Sequence, residues 1–241
     1  LPVEKYTPDD PLGKLFLDYH RRFGDAIVPQ FPDSPTLSLD ERTDQWKSAI
    51  ERIRPILPDT NDLREGRVEM WHASEPGYTR TMMNVGMVSH FGLQMANGGS
   101  WLGMPEFPYF ASPLDIRKIN QDEGGLVTHQ WDFCTGWHFL GPQSWHYSIS
   151  YKDWPLARKC LYQGIREAKN CAEISGHFAY IGPLYDGSLT GTQHNFDFVE
   201  KYQRFIAFEM TKEFKLVFAR SIDIADYYRR HFRVTPRTVF V

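Results

Sequence analysis

The side chains best suited to chemistry are concentrated between Gly125 and Tyr151. That stretch, GLVTHQWDFCTGWHFLGPQSWHYSISY, holds three of the nine histidines and three of the seven tryptophans. His129, Trp131, Asp132, Trp137, His138, Trp145 and His146 combine flat apolar faces with titratable or hydrogen-bonding edges. A concave site for a polar, ring-shaped ligand needs that mixture, and carbohydrate is the first ligand class it suits. The same aromatics also fit a core with histidines hydrogen-bonded at its margin. Asp132, three residues after His129, is placed to orient that histidine as a base, although on one strand the two would point to opposite faces.

Glu106, between Pro105 and Phe107, sits in an aromatic loop whose partial desolvation would suit it to general acid or base work. The catalytic candidates are therefore Glu106, His129 and Asp132. Trp71, His72, Trp101, Trp131, Trp137, His138, Trp145 and His146 are the candidates for binding substrate. The histidine spacings 129 to 138 and 138 to 146 match neither the HExxH helix pattern nor a Cys/His zinc pattern, so no metal ligand is assigned. A GxSxG elbow, a Walker loop, a dinucleotide-binding glycine fingerprint and an EF-hand loop are all missing from the sequence.

Bulk properties narrow the class. A net charge of -3 with 24% charged residues provides no basic field to recruit nucleic acid or an anionic membrane, and neither is expected as a partner. No run approaches the roughly eighteen apolar residues of a spanning helix, and the first ten residues carry no signal-peptide h-region, so a soluble protein is expected, cytoplasmic or extracytoplasmic. Because the chain starts at Leu1 rather than Met, an upstream segment is expected to have been removed. Cys134, Cys160 and Cys171 are too few and too unevenly spaced for a disulfide framework.

The elements that must position these residues follow from periodicity. Residues 1–37 are a proline-rich arm interrupted by an apolar stripe at Leu12, Leu15, Phe16, Tyr19 and Phe23, which predicts a helix ending near Gly24. Residues 38–241 are expected to form a single α/β domain. Ser38 with Glu41 makes a capping box for a helix through Trp46, Ala49, Ile50 and Ile53. A strand is predicted at Arg67–His72, a helix over TRTMMNVGMVSH (79–90) capped by Thr79, and a strand in FGLQMA. Ser112 and Pro113 should open a further helix, SPLDIRKINQ. A long helix from Trp154 to about Ile174, a buried strand at His177–Tyr185 and a helix through Phe198–Met210 come next. The chain closes with an apolar strand, KLVFAR, and a helix capped by Ser221, with Asp223 at its positive end and Arg229, Arg230 and His231 at its negative end. Strand alternating with helix implies parallel strands, hence an α/β fold with a mostly parallel sheet.

KLVFARSIDIADYYRRHF, preceded by SGHFAYIGPLYDG, resembles the closing units of the polysaccharide deacetylase family, over about Arg67 to Phe232. The resemblance implies a distorted (β/α) barrel that hydrolyses N- or O-acyl groups on sugars with a divalent metal. The family's His-x-x-x-His motif is absent from this sequence, Asp9-Asp10 lies in a polar arm rather than on a strand, and Gly182-Pro183 stands where the family has His-Pro. A divalent metal is therefore expected only if a missing segment or a partner chain supplies its ligands. Five or six strands are legible where a closed barrel needs about seven or eight. The expected architecture is thus a distorted or incomplete barrel, with a partner chain or oligomer covering an open sheet edge. The expected activity is a carbohydrate-active hydrolase, deacetylase-like, acting on a C–N or ester bond of a small-molecule or glycan substrate. The alternative is a non-catalytic carbohydrate-binding protein or a subunit completed by a partner chain.

Overall fold

The computed structural model describes residues 9–24, 27–32, 34–55, 57, 62–68, 77–91, 108–129, ten helical positions between 154 and 173, 200–201 and 204–235. The chain divides into two compact units, one of Leu1–Gln130 with Ala219–Val241, the other of Trp131–Phe218.

The first unit is a helix-flanked mixed sheet. Its strands are β1 (Gln30–Phe31), β2 (Glu65–Val68), β3 (Ser89–Phe91), β4 (Tyr109–Ser112), β5 (Asp115–Ile119) and β6 (Leu126–His129), in the spatial order β1-β2-β3-β6-β4-β5. The pairs β1–β2, β2–β3 and β3–β6 are parallel, whereas β4 runs antiparallel to both β6 and β5. Among the described residues the sheet is open, with β1 and β5 at its edges, and they form no closed barrel. The antiparallel half arises where a helix was expected over SPLDIRKINQ. Proline at the start of a helix and proline at the second position of a tight turn are the same local signal. Here Ser112 Oγ accepts from the Leu114 N–H at 3.3 Å, the chain turns, and Ile116 is buried as β5 returns along β4.

Alternation along the strands assigns the two faces. Gly66, His90, Thr128 and Tyr109 lie in one row across β2, β3, β6 and β4. This row faces helices α2 (Leu39–Ile53) and α3 (Tyr78–Asn84): Tyr109 shares one core cluster with Trp46, Tyr78 and Met82, and a Cβ on Gly66 would stand 2.3 Å from Met87 Sδ and 3.1 Å from Phe31 Cε2 in that same cluster. The core there contains Phe31, Trp46, Ile53, Tyr78, Met82, Tyr109 and Leu126. Glu65, Ser89, Val127 and Phe110 form the adjacent row, on the opposite face. Helix α5 (Ser221–His231) covers it: the Phe110 and Tyr228 rings meet edge-on at 5.1 Å, and Ile222, Ala225 and Tyr228 are buried.

Helix α2 begins as its capping box requires, with Ser38 Oγ accepting from the Glu41 N–H and Glu41 accepting from the Ser38 N–H at 2.9 Å. Helix α1 (Pro11–Phe23) also matches its stripe and closes on Gly24, whose φ of 70° suits glycine. Helix α3 differs from expectation. Its cap is Gly77, φ 100°, two residues before the expected Thr79, and Thr79 is buried within the first turn instead of capping it. The same helix stops at Asn84, so Ser89–His90, read as helical, belong to β3.

In the second unit the described positions between 154 and 173 are helical, as expected. They pack on a helical segment that passes through a π-helical stretch, Phe205–Met210, into α4 (Thr211–Phe214). Trp154 meets Phe205 edge-on at 5.8 Å, Tyr162 meets Phe214 at 5.4 Å, and Arg158 pairs with Glu209 at 2.5 Å. The π turn shifts the ladder by one residue, and Thr211 Oγ1 donates to the Ile206 carbonyl at 2.9 Å. KLVFAR does not form a strand: residues 215–220 have no regular structure, and Val217 and Phe218 are 88% and 69% exposed. An apolar run becomes a strand only where a sheet edge accepts it.

Candidate functional site

The parallel strands give the first unit a carboxyl edge, the side on which ligands bind in open α/β sheets. β6 brings His129 to that edge, its backbone in register with Phe91 at the end of β3. Trp71, His72, Trp101, Glu106, Trp131, Asp132, Trp137, His138, Trp145 and His146 lie outside the described residues, as do the three cysteines and the strand expected at 177–185. Of the sequence candidates, His129 alone is placed, and by its backbone only.

At the opposite, amino-terminal edge the structure assembles a polar cluster for which the sequence offers no motif. Glu65 opens β2 and is 1% exposed. Its carboxylate accepts from Ser89 Oγ at 2.9 Å and, through the other oxygen, from Ser221 Oγ on the first residue of α5. Ser221 was expected to cap that helix. Arg220 is the N-cap instead, its guanidinium and N–H both reaching the Asp223 carboxylate, which holds the Asp223 carboxyl below its ordinary range. The Ser221 hydroxyl is thereby released to the sheet. Next along the chain, Arg64 donates two hydrogen bonds to the Asp226 carboxylate at 2.7 and 3.1 Å, and hydrogen bonding to Asp226 raises the Arg64 pKa. Both partners are 36% exposed, so this pair contributes at most about 1 kcal/mol.

The carboxyl end of α5 is fixed as well. Arg229 donates to the Gly125 carbonyl at 2.6 Å, and the Phe110 N–H donates to Thr235 Oγ1 at 2.9 Å. The arrangement docks one helix onto one sheet face at three places. Chemically it is a clamp, because a carboxylate at 1% exposure meets protein groups rather than a solute. Among the described residues no group of three or more His, Cys, Asp or Glu side chains could hold a metal ion. No helix of the described residues is long and apolar enough to cross a membrane.

Burial also makes this face sensitive to alkali. Tyr228 is 0% exposed, and desolvation pushes its pKa from 10 up to about 12, against a smaller opposing effect of Thr235. A raised folded-state pKa means that the unfolded chain loses the proton first, so the contribution is intact below pH 10 and is lost between about 10 and 12. Denaturant titrations at rising pH should show a fall of about 2–3 kcal/mol across that window. Tyr228→Phe should remove this component. An unchanged alkaline profile in the variant would show that another group is responsible.

No family model, curated protein or solved structure matches the chain. The resemblance to polysaccharide deacetylases accordingly stands on the quoted residues alone, and their KLVFAR portion is not a strand.

Proposed function

We propose that the chain is a carbohydrate-active hydrolase acting on an acyl C–N or ester bond, with His129 as a proton-transferring group. The supporting observation is the position of His129 at the carboxyl end of the last parallel strand, beside Phe91. Side chains at strand ends on that edge are held by the sheet yet open to solutes. Such a base would take the proton from water as it attacks the acyl carbon, and an acid would return a proton to the departing sugar amine or hydroxyl. Glu106 is the candidate for the second role in the same unit, with Trp71, His72 and Trp101 as sugar-stacking or hydrogen-bonding groups. Asp132, Trp131, Trp137, His138, Trp145 and His146 are candidates in the second unit, each to be tested by its own substitution. A distorted, incomplete barrel is the architecture this function would take from the family resemblance. The described residues provide no ligand set for the divalent metal that the resemblance implies.

The test is turnover of acetylated oligosaccharides, with and without added divalent cations, alongside glycan-array binding. His129→Ala and Glu106→Ala should each lower turnover about a hundredfold while binding persists. Wild-type rates in both variants would remove these assignments. Sugar binding without turnover by the wild type would make the chain a non-catalytic carbohydrate-binding protein, and neither binding nor turnover would end both ideas.

A further inference from the structure

Residues 215–220 carry the chain from one compact unit into the other, the boundary falling between Phe218 and Ala219. Lys215, at φ 53°, turns the backbone out of α4, and Arg220, at φ -72° and ψ 153°, leads it extended into α5. Between them, residues 216–219 make no backbone hydrogen bond to another described residue. Leu216 packs against the core of the second unit, but Val217 and Phe218 are 88% and 69% exposed, and Ala219 is exposed as well.

An endopeptidase reads its substrate as an added strand, through main-chain hydrogen bonds and a pocket for one side chain. Residues in helices and sheets must open before they can be read in this way, whereas the main-chain groups of 216–219 are already unengaged among the described residues. The side chains choose the pocket. Phe218 offers an exposed aromatic ring to an apolar slot, and the exposed Ala219 after it is too small to obstruct. The flanking basic residues are poorer targets for a peptidase that reads Lys or Arg. The Lys215 N–H donates to the Thr211 carbonyl at 3.0 Å, and Leu216 beyond it is packed. The Arg220 guanidinium is held by Asp223 at 2.9 and 3.0 Å, and Ser221 donates to Glu65.

We propose that the Phe218–Ala219 bond is a processing site for an endopeptidase with an aromatic-binding pocket, and that the cut chain stays together. Hydrolysis adds water across the bond, hydroxyl to the Phe218 carbonyl carbon and proton to the departing Ala219 nitrogen, leaving a carboxylate and an amine. It severs one of the two chain connections between the units, the other lying between Gln130 and Trp131. Residues 219–241 do not depend on that bond for their place. Ser221 is tied to Glu65, Asp226 to Arg64 and Arg229 to the Gly125 carbonyl, all within the first unit, and Tyr228 is fully buried. The product is a nicked protein whose helix α5 is held without a covalent link.

Chymotrypsin acting on the folded full chain is the probe. Mass spectrometry should find fragments 1–218 and 219–241 as a pair that co-elutes in size exclusion and separates in guanidinium chloride. The rate should be insensitive to urea below the unfolding transition, because the bond does not wait for global opening. Phe218→Asp should slow this cut about tenfold or more, with far-UV circular dichroism unchanged because the side chain is exposed. Ser221→Ala should leave the cut unaltered but raise the dissociation constant of fragment 219–241 about tenfold. An intact Phe218–Ala219 bond while the chain stays folded, a rate that climbs with urea, or equal cutting of Phe218→Asp would overturn the site. Trypsin cutting after Arg220 as fast as chymotrypsin cuts after Phe218 would overturn the choice of an aromatic pocket. Fragments that part on size exclusion without denaturant would end the claim that α5 is retained.

Discussion

Trp46→Ala should lower the stability of the first unit by about 3–5 kcal/mol, the largest single effect expected from its core. Trp46 is 0% exposed. Its ring stacks on Phe31 at 4.5 Å with an interplanar angle of 20°, and lies 6.1 Å from Tyr78 at 45°. One side chain therefore joins α2 to β1 and α3. Truncation removes the transfer free energy of the indole and leaves a cavity between elements too well tied to collapse: Tyr78 accepts from the Ser34 N–H at 2.9 Å, and the Arg42 guanidinium rests 4.1 Å above its ring. The indole N–H meets no acceptor among the described residues, so no hydrogen bond is lost with it. Trp46→Phe should consequently cost much less than Trp46→Ala. Urea unfolding followed by circular dichroism separates the two variants. A loss under about 1 kcal/mol for Trp46→Ala would mean that α2 is not held by this ring.

The elements written most plainly in the sequence were those whose signals are local. The Ser38–Glu41 box, the α1 stripe with Gly24, and the basic last turn of α5 each depend on residues within four or five positions of one another, and all three occur. Where the outcome depends on a distant partner, the local signal was ambiguous. Pro113 serves a turn because β6 is available to pair with β4. The short β1 is a strand because β2 accepts it, although proline-rich surroundings made the segment read as an arm. KLVFAR is apolar enough for a strand but pairs with none of the sheet's strands. The candidate site was legible as composition, aromatic and histidine together, and only the backbone of His129 now has a place in the sheet. Glu65 was passed over for a physical reason: a carboxylate starting a strand ordinarily marks a solvated end, and its partners are 24 and 156 residues away.

That separation makes Glu65 the sharpest test of how α5 is held. Glu65→Met keeps the approximate volume but leaves the Ser89 and Ser221 hydroxyls facing an apolar group. Leaving a buried donor such as the Ser89 hydroxyl unmatched costs about 1–3 kcal/mol, the half-buried Ser221 hydroxyl adds less, and hydrogen bonds to a carboxylate are worth more than neutral ones. A total loss of about 3–5 kcal/mol is therefore expected, close to that of removing one partner from a buried charged pair. The companion variant Glu65→Met/Ser89→Ala/Ser221→Ala removes the hydroxyls too, and replacing all partners by apolar groups is nearly neutral where shape is kept. It should recover most of the loss, whereas Ser89→Ala and Ser221→Ala alone should each cost about 1–2 kcal/mol. Non-additivity of this kind is the signature of one coupled network. Hydrogen exchange adds a spatial readout: in Glu65→Met the amides of Ser221–His231 should lose protection before those of Leu39–Ile53, because the clamp acts on α5 and leaves α2 on the other face. Equal loss of protection in both helices, or an additive triple variant, would show that Glu65 supports the sheet as a whole and does not fasten α5 to it.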